Sequence, residues 1–257
     1  MSWFTGEFPT ENEMKLELAV YLSVSHGTKK HVKLTKRLLR RLWVRSRRTP
    51  IADVWGELSA LAHATPQGEI RGSSIKAAFR KRLLKLQGGR CCYCRRWLTS
   101  SAHGKPIEHV LPRSKYPQFA VEYWNLAVAC SDCNGAKTDD AWGAIPLNGL
   151  EYPNHDQFPD VFHPRYHRFD DHLRYTRVES NKATVVWFAG ITPQGHHLCK
   201  TLLYKIAAKE SLVASNPILA KAMTQIKGFE EHASKEGLNA FADFQQALDE
   251  SLIRLIS

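Results

Sequence analysis

A chain of 257 residues is long enough for one large domain or two small ones around a true core. Its 43% hydrophobic and 24% charged residues are those of an ordinary globular protein, and no apolar run approaches the ~20 residues that a membrane-spanning helix needs, which excludes a helical membrane protein. The formal net charge of +11 points to a polyanionic partner.

The N-terminus, MSWFTGEFPTENEMKLEL, has no basic segment followed by an apolar one. No leader peptide is therefore expected, and the cytoplasm is the expected location. Residues near 11–23 and 33–45 carry helical periodicity. In the second, Leu34, Leu38 and Leu42 form one apolar stripe amid Lys and Arg, and Thr49-Pro50 ends it. The positive charge is concentrated here: KKHVKLTKRLLRRLWVRSRR, residues 29–48, holds ten Lys/Arg and no acid. The bland reading is a solvated face of a basic protein. The functional one is nucleic-acid binding, with Lys36, Arg37, Arg40, Arg41 and Arg45 tracking a phosphate backbone in a sequence-tolerant, salt-sensitive way.

SSIKAAFRKRLLKLQGG reads as a helix capped by Ser73 or Ser74, with Ile75, Phe79, Leu83 and Leu86 on one face and Gly88-Gly89 at its end. Residues 1–87 are accordingly expected to be mostly helical and basic. From 88 to 150 cysteines, prolines and glycines take over. Beyond 150, DHLRYTRV and ATVVWFAG joined by ESNK read as a β-hairpin. TPQGHHLCKTLLYKIAAKE restarts helix with Thr192 as cap and Pro193 in the first turn, and further helical patterns run over 210–227 and 238–256. The expected class is α+β, rich in helix, in three regions: 1–87, 88–150 and 151–257.

Four of the six cysteines fall as Cys91-x-x-Cys94 and Cys130-x-x-Cys133. Two such turns let four thiolates converge on one tetrahedral Zn²⁺, and four thiolates leave no open position for substrate, so the zinc is expected to be structural. Cys92 offers an alternative pairing with Cys94, but the spacing favours Cys91. Cys92 and Cys199 are read as small buried residues. Between the two pairs lies PIEHVLPRSKYP, which sets Glu108 beside His109. Alone, the dipeptide is as consistent with a surface strand as with a metal-and-base pair.

The bracket as a whole, from Cys91 to Asp139, resembles the HNH endonuclease family. The matching elements are the first CxxC, the EHVLP strand, the Asn of WNL, and a second CxxC with Asn immediately after it and Lys soon after, CSDCNGAK. The resemblance implies a ββα-metal finger fastened by the Cys₄ zinc site. It implies His109 as general base, Glu108 and Asn134 as ligands of a catalytic Mg²⁺ or Mn²⁺, and Asn125 as support for the loop that orients the base. Lys137 would hold a phosphate oxygen, and Arg113 and Lys115 the flanking backbone. The oxygen ligands suit those hard cations. Glu108 stands where many family members have Asp. On a strand, neighbouring side chains face opposite sides, so both can serve one site only through a twist or bulge.

The segment PDVFHPRYHRFDDHLRY and the later ITPQGHHLCKTLLYK are similar to the region C-terminal to the finger in HNH nucleases of Septu and retron-associated anti-phage systems. That group works with a separate ATPase, and no GxxxxGK[ST] occurs here, so any ATPase would be a partner. His163, His167 and His172 beside Asp170 and Asp171 could form a second metal site, but they have no recognised ligand spacing and are read as structural. The expected function is therefore a metal-dependent endonuclease acting on DNA, or on RNA. The alternative is a non-catalytic, zinc-containing module that binds nucleic acid or a protein. A sequence-specific mobile-element nuclease ranks lower, because no separate reader domain is visible.

Overall fold

The computed structural model describes residues 31–49, 52–66, 68–98, 105–140, 142–143, 145–147, 149–179 and 184–215. The helices expected at 11–23 and 238–256, and the stretch 216–227, lie outside the described residues.

Helix α1 (Val32–Arg48) buries Thr35, Leu38, Leu39 and Ser46 and leaves Lys33, Arg37, Arg40, Arg41, Arg45 and Arg48 exposed. Lys36 is half-buried. The inner face of the helix is bolted down by polar contacts as well as leucines. Ser46 Oγ donates to the Gln118 carbonyl at 3.0 Å, and the Arg47 guanidinium meets Glu122 at 2.5 Å while covering the Trp43 ring. Helix α2 (Val54–Ala60) starts at Asp53, whose carboxylate accepts the Gly56 amide at 2.9 Å, as an N-cap should.

Strands β1 (Ala62–Thr65) and β2 (Gly68–Arg71) then form an antiparallel hairpin. The hairpin was not expected; the described part of 1–87 is otherwise mainly helical. The turn supplies the reason for the hairpin: Gly68 sits at φ 122°, open to glycine, and Thr65 Oγ1 donates to its carbonyl at 2.6 Å. Helix α3 (Gly72–Leu86) comes directly after β2, so its N-cap is Arg71, with no side-chain cap, rather than Ser73 or Ser74. Gly72 is fixed by packing: a Cβ there would meet the Leu58 carbonyl oxygen at 1.6 Å. The predicted apolar face, Ile75, Phe79, Leu83 and Leu86, is buried, and Gly88 and Gly89 end the helix at φ 62° and 72°.

Strands β3 (Ile107–His109) and β4 (Leu126–Val128) pair antiparallel, Glu108 opposite Ala127 and His109 opposite Leu126, and helix α4 (Ser131–Lys137) comes next. Gln87 extends this small sheet: its side-chain amide accepts from Val128 N and donates to Val128 O, both at 2.8 Å. After the short helix α5 (Phe169–His172), β5 (Leu173–Glu179) and β6 (Thr184–Gly190) form the expected hairpin. Helix α6 (Pro193–Leu198) is capped by Thr192, as predicted, and runs through a wide turn, Cys199–Leu203, into α7 (Tyr204–Ser215).

The class is mixed α+β. The main core joins Leu58, Phe79, Leu83, Leu126, Leu198 and Leu203, with Cys92 and Cys199 inside it, as expected. A satellite cluster of Leu111, Tyr116, Phe119, Ile145 and Phe158 lies under the long β3–β4 connection. Arg96 bridges Asp132 of α4 and Glu210 of α7, and Glu210 also takes Arg177 of β5 at 2.5 Å, so the C-terminal elements clamp the cysteine region. Among the described residues no helix is long and apolar enough to cross a membrane.

Candidate functional site

The four predicted cysteines converge. The sulfurs of Cys91, Cys94, Cys130 and Cys133 all lie within 4.8 Å of one another, and all four residues are buried. The backbone is arranged for anionic sulfur: Cys130 N donates to Cys91 Sγ at 3.2 Å and Cys133 N to Cys130 Sγ at 3.4 Å, with Cys130 at the N-cap of α4. Arg95, in the first turn, takes a left-handed φ of 62° to close the knuckle. Burial opposes ionisation of Cys91, yet hydrogen bonds from the neighbouring thiols carry its pKa well below the usual range. Cys94 and Cys133 are pushed well up, first through their contacts with Cys130. Four buried sulfurs this close together, with backbone amides donating to two of them, form the donor set that a dication takes, so the quartet could hold a metal such as Zn²⁺. Among the described residues it is the one group whose donor atoms converge in this way.

His109 ends β3 and points away from the cysteines. Its Nε2 lies 3.0 Å from the Ala120 carbonyl oxygen. A carbonyl only accepts, so Nε2 carries the proton and Nδ1 keeps its lone pair. Burial lowers the imidazole pKa to about 4, and the Ala120 contact does not offset this. The ring is thus neutral at pH 7, with one nitrogen anchored and the other carrying a lone pair. The indole of Trp55 packs against it at 86°, ring centres 4.6 Å apart.

Asn125 holds the loop that carries Ala120. Fully buried, it accepts from Leu111 N at 2.7 Å and donates to the carbonyls of Leu111 and Phe119, each at 3.0 Å. A chain of donors reinforces it. Arg165 N donates to His163 Nδ1, leaving His163 Nε2–H to donate to Tyr152 Oη at 2.8 Å, and Tyr152 donates to Asn125 Oδ1 at 3.2 Å. Burial keeps His163 well below its ordinary pKa, consistent with this neutral tautomer. His163 stacks on Tyr166, and His167 lies tilted against Phe162 and His172. His163 and His167 are buried core residues, and His172 is half-buried with Nδ1 2.7 Å from Thr192 Oγ1.

Glu108 faces the other way from His109. Its Oε1 meets Lys137 Nζ at 2.9 Å and accepts from Tyr93 Oη at 3.2 Å. Desolvation raises its pKa, opposed by Lys137. The placement of Lys137 differs from the expectation. A residue meant to reach a phosphate oxygen from the surface is 2% exposed, paired to Glu108 and near the Trp142 ring, because the last turn of α4 leans onto β3. Asn134, one turn earlier, is partly exposed, and its side chain makes no hydrogen bond to the described residues.

Of the expected backbone contacts, Arg37, Arg40 and Arg41 stand open on α1, and Arg45 pairs with Glu57 at 3.1 Å. Arg113, just after β3, reaches Asp53 at 3.4 Å, and Lys115 is exposed. The sequence reading missed Trp55, Tyr93 and Tyr152. Trp55 and Tyr152 lie outside the matched motif, and nothing in local sequence marks them. Tyr93, inside the first CxxC, was the most accessible to reasoning, since the residue between two metal thiols must point somewhere fixed.

The chain is 34% identical over 68 residues to Septu protein PtuB of Bacillus thuringiensis, a stretch that spans 26% of this chain and 26% of that protein. No family model matches the chain. No solved structure matches it either.

Proposed function

We propose that the chain is a metal-dependent HNH-type endonuclease acting on DNA as the effector of an anti-phage defence system, with a separate ATPase as partner. The observation that carries this reading is His109: buried, neutral, anchored through Nε2 and free at Nδ1, on a strand of a β–β–α succession beside a four-cysteine cluster. The similarity to a Septu protein supports the defence setting.

In this reading His109 Nδ1 takes the proton of the water that attacks phosphorus. Ala120, Asn125, Tyr152 and His163 hold the imidazole so that it does not reorganise during the reaction. Glu108 and Asn134 would offer the hard oxygen donors that Mg²⁺ or Mn²⁺ prefers; the β3–β4 pairing is regular and Glu108 faces away from His109, so this role requires the carboxylate to leave Lys137 and Tyr93 and turn to the His109 side. Such a cation, when bound, stabilises charge on the phosphorane and the leaving oxygen. Lys137 gives the buried carboxylate a cationic partner, and the Cys₄ site would hold a structural Zn²⁺. The open Arg37, Arg40 and Arg41 of α1, with half-buried Lys36 and with Arg45 beside Glu57, and the exposed Arg113 and Lys115 track the phosphate backbone.

A second reading is favoured by one contact. Lys137 already supplies Glu108 with a cation, as in a finger that binds nucleic acid without cutting it. Supercoiled plasmid incubated with purified protein separates the two. Nicking that needs Mg²⁺ or Mn²⁺, stops in EDTA and is lost in His109→Ala supports the nuclease. Binding without nicking, with and without the partner ATPase, supports the second reading.

A further inference from the structure

The wall facing His109 does not come from the finger. It comes from α2 and α3, in the N-terminal region. Trp55 of α2 lies edge-on to the imidazole, and Lys76 of α3 lies over the other side of the wall, its Nζ 4.3 Å from the Trp55 ring centre. Lys76 is half-buried and also touches Ser59 Oγ. Among the described residues no carboxylate lies within ion-pair distance of it. Its surroundings are instead cationic: Arg113 and Arg80 both act on it unfavourably, and Asp53, which attracts it, is already shared between the Gly56 amide and Arg113.

Holding an ammonium half out of water among like charges costs stability. Burial is the main reason that its pKa falls, and Arg113 adds to it. A solvated surface lysine escapes this by extending; Lys76 is kept in place by the indole, a cation–π contact that also fixes its direction. An anion arriving between Lys76 and Arg113 removes the repulsion. Lys76 stands on the same indole that packs against the His109 ring, so an anion it receives lies near the base.

We propose that Lys76, held by Trp55, contacts a backbone phosphate next to the one that His109 addresses, so that the N-terminal region supplies part of the substrate cradle. The proposal rests on the nuclease reading for its meaning, but its binding component is independent of cleavage. Arg45 on Glu57 and Arg113 on Asp53 flank α2 one helical turn apart, so the cations of α1 continue to Lys76 across this short helix.

The test is binding of a duplex DNA oligonucleotide to the full chain in EDTA, over a salt series, for wild type, Lys76→Ala, Lys76→Arg and Lys81→Ala. Lys81 is an exposed lysine of the same helix and controls for charge alone. Lys76→Ala is expected to weaken binding roughly tenfold and to reduce the salt slope by about 0.9, the share of one phosphate. Lys76→Arg is expected to keep the slope, and Lys81→Ala to change little. Zinc content and circular dichroism confirm that each variant folds. A Lys76→Ala protein that binds like wild type, an equal loss in Lys81→Ala, or a wild type without affinity for the duplex overturns the proposal. The nuclease reading fails separately, through absence of metal-dependent nicking by a wild type that binds.

Discussion

Glu108 and Lys137 form a buried ion pair, Oε1 to Nζ 2.9 Å apart, and the same ammonium donates to the His109 carbonyl at 3.3 Å. One lysine thus ties the end of α4 to both residues of the Glu-His pair. Breaking such a pair strands a charge where water does not reach. Glu108→Ala is expected to cost roughly 3–5 kcal/mol of stability. The double variant Glu108→Leu, Lys137→Met removes both charges and is expected to recover most of that loss. Thermal unfolding reads the stability and plasmid nicking reads the function. Recovered stability with nicking still absent assigns Glu108 a role in the chemistry; recovered nicking makes it structural.

Asn125 has three hydrogen bonds to the backbone of the loop that positions the Ala120 carbonyl. Asn125→Ala leaves buried donors and acceptors unpaired, at about 1–3 kcal/mol for each group left unsatisfied. Tyr152→Phe removes only the reinforcing hydroxyl, and the expected loss is nearer 1 kcal/mol. Denaturant titration should rank the two in that order. The reverse ranking would show that the loop is held elsewhere.

Cys130→Ser removes a thiolate that is also the cap of α4. The purified variant is expected to carry less than one zinc per chain and to melt well below wild type, because structural metal binding is folding energy. Retention of one zinc per chain by the variant would count against the four-thiolate site.

Several imidazoles are buried in their neutral form. Burial lowers His109 to about 4 and His167 to about 3, and moves His163 in the same direction. The unfolded chain therefore binds more protons than the folded one between pH ~6.5 and those values, and stability rises with pH across that window. Acidification from pH 7 to 4 should unfold the protein progressively, with tryptophan fluorescence as the readout. A transition confined to below pH 3 would contradict the burial of these rings.

The Arg47 guanidinium lies between Trp43 and Glu122 and fixes α1 against the loop that holds Ala120. Arg47→Ala is expected to lower the melting temperature and reduce nicking, while exposed Arg41→Ala is expected to leave the melting temperature unchanged and weaken DNA binding. Equal melting losses in the two variants would mean that Arg47 does not anchor the helix.

Local pattern alone was enough to place the four cysteines, the leucine faces of α1 and α3, the β5–β6 hairpin and the Thr192 cap. Each depends on spacing along a few residues, and spacing is what a sequence displays. The β1–β2 hairpin was missed because its strands are four residues each, too short for a period to register against the helices on either side. What only the tertiary structure decided is the company each group keeps. Lys137 turned inward to Glu108, His163 came to support Asn125 through Tyr152, and Trp55 and Lys76 came to wall His109 from outside the motif. These contacts join residues far apart in the chain, and they are set by how the helices pack on β3 and β4. No local period encodes that packing.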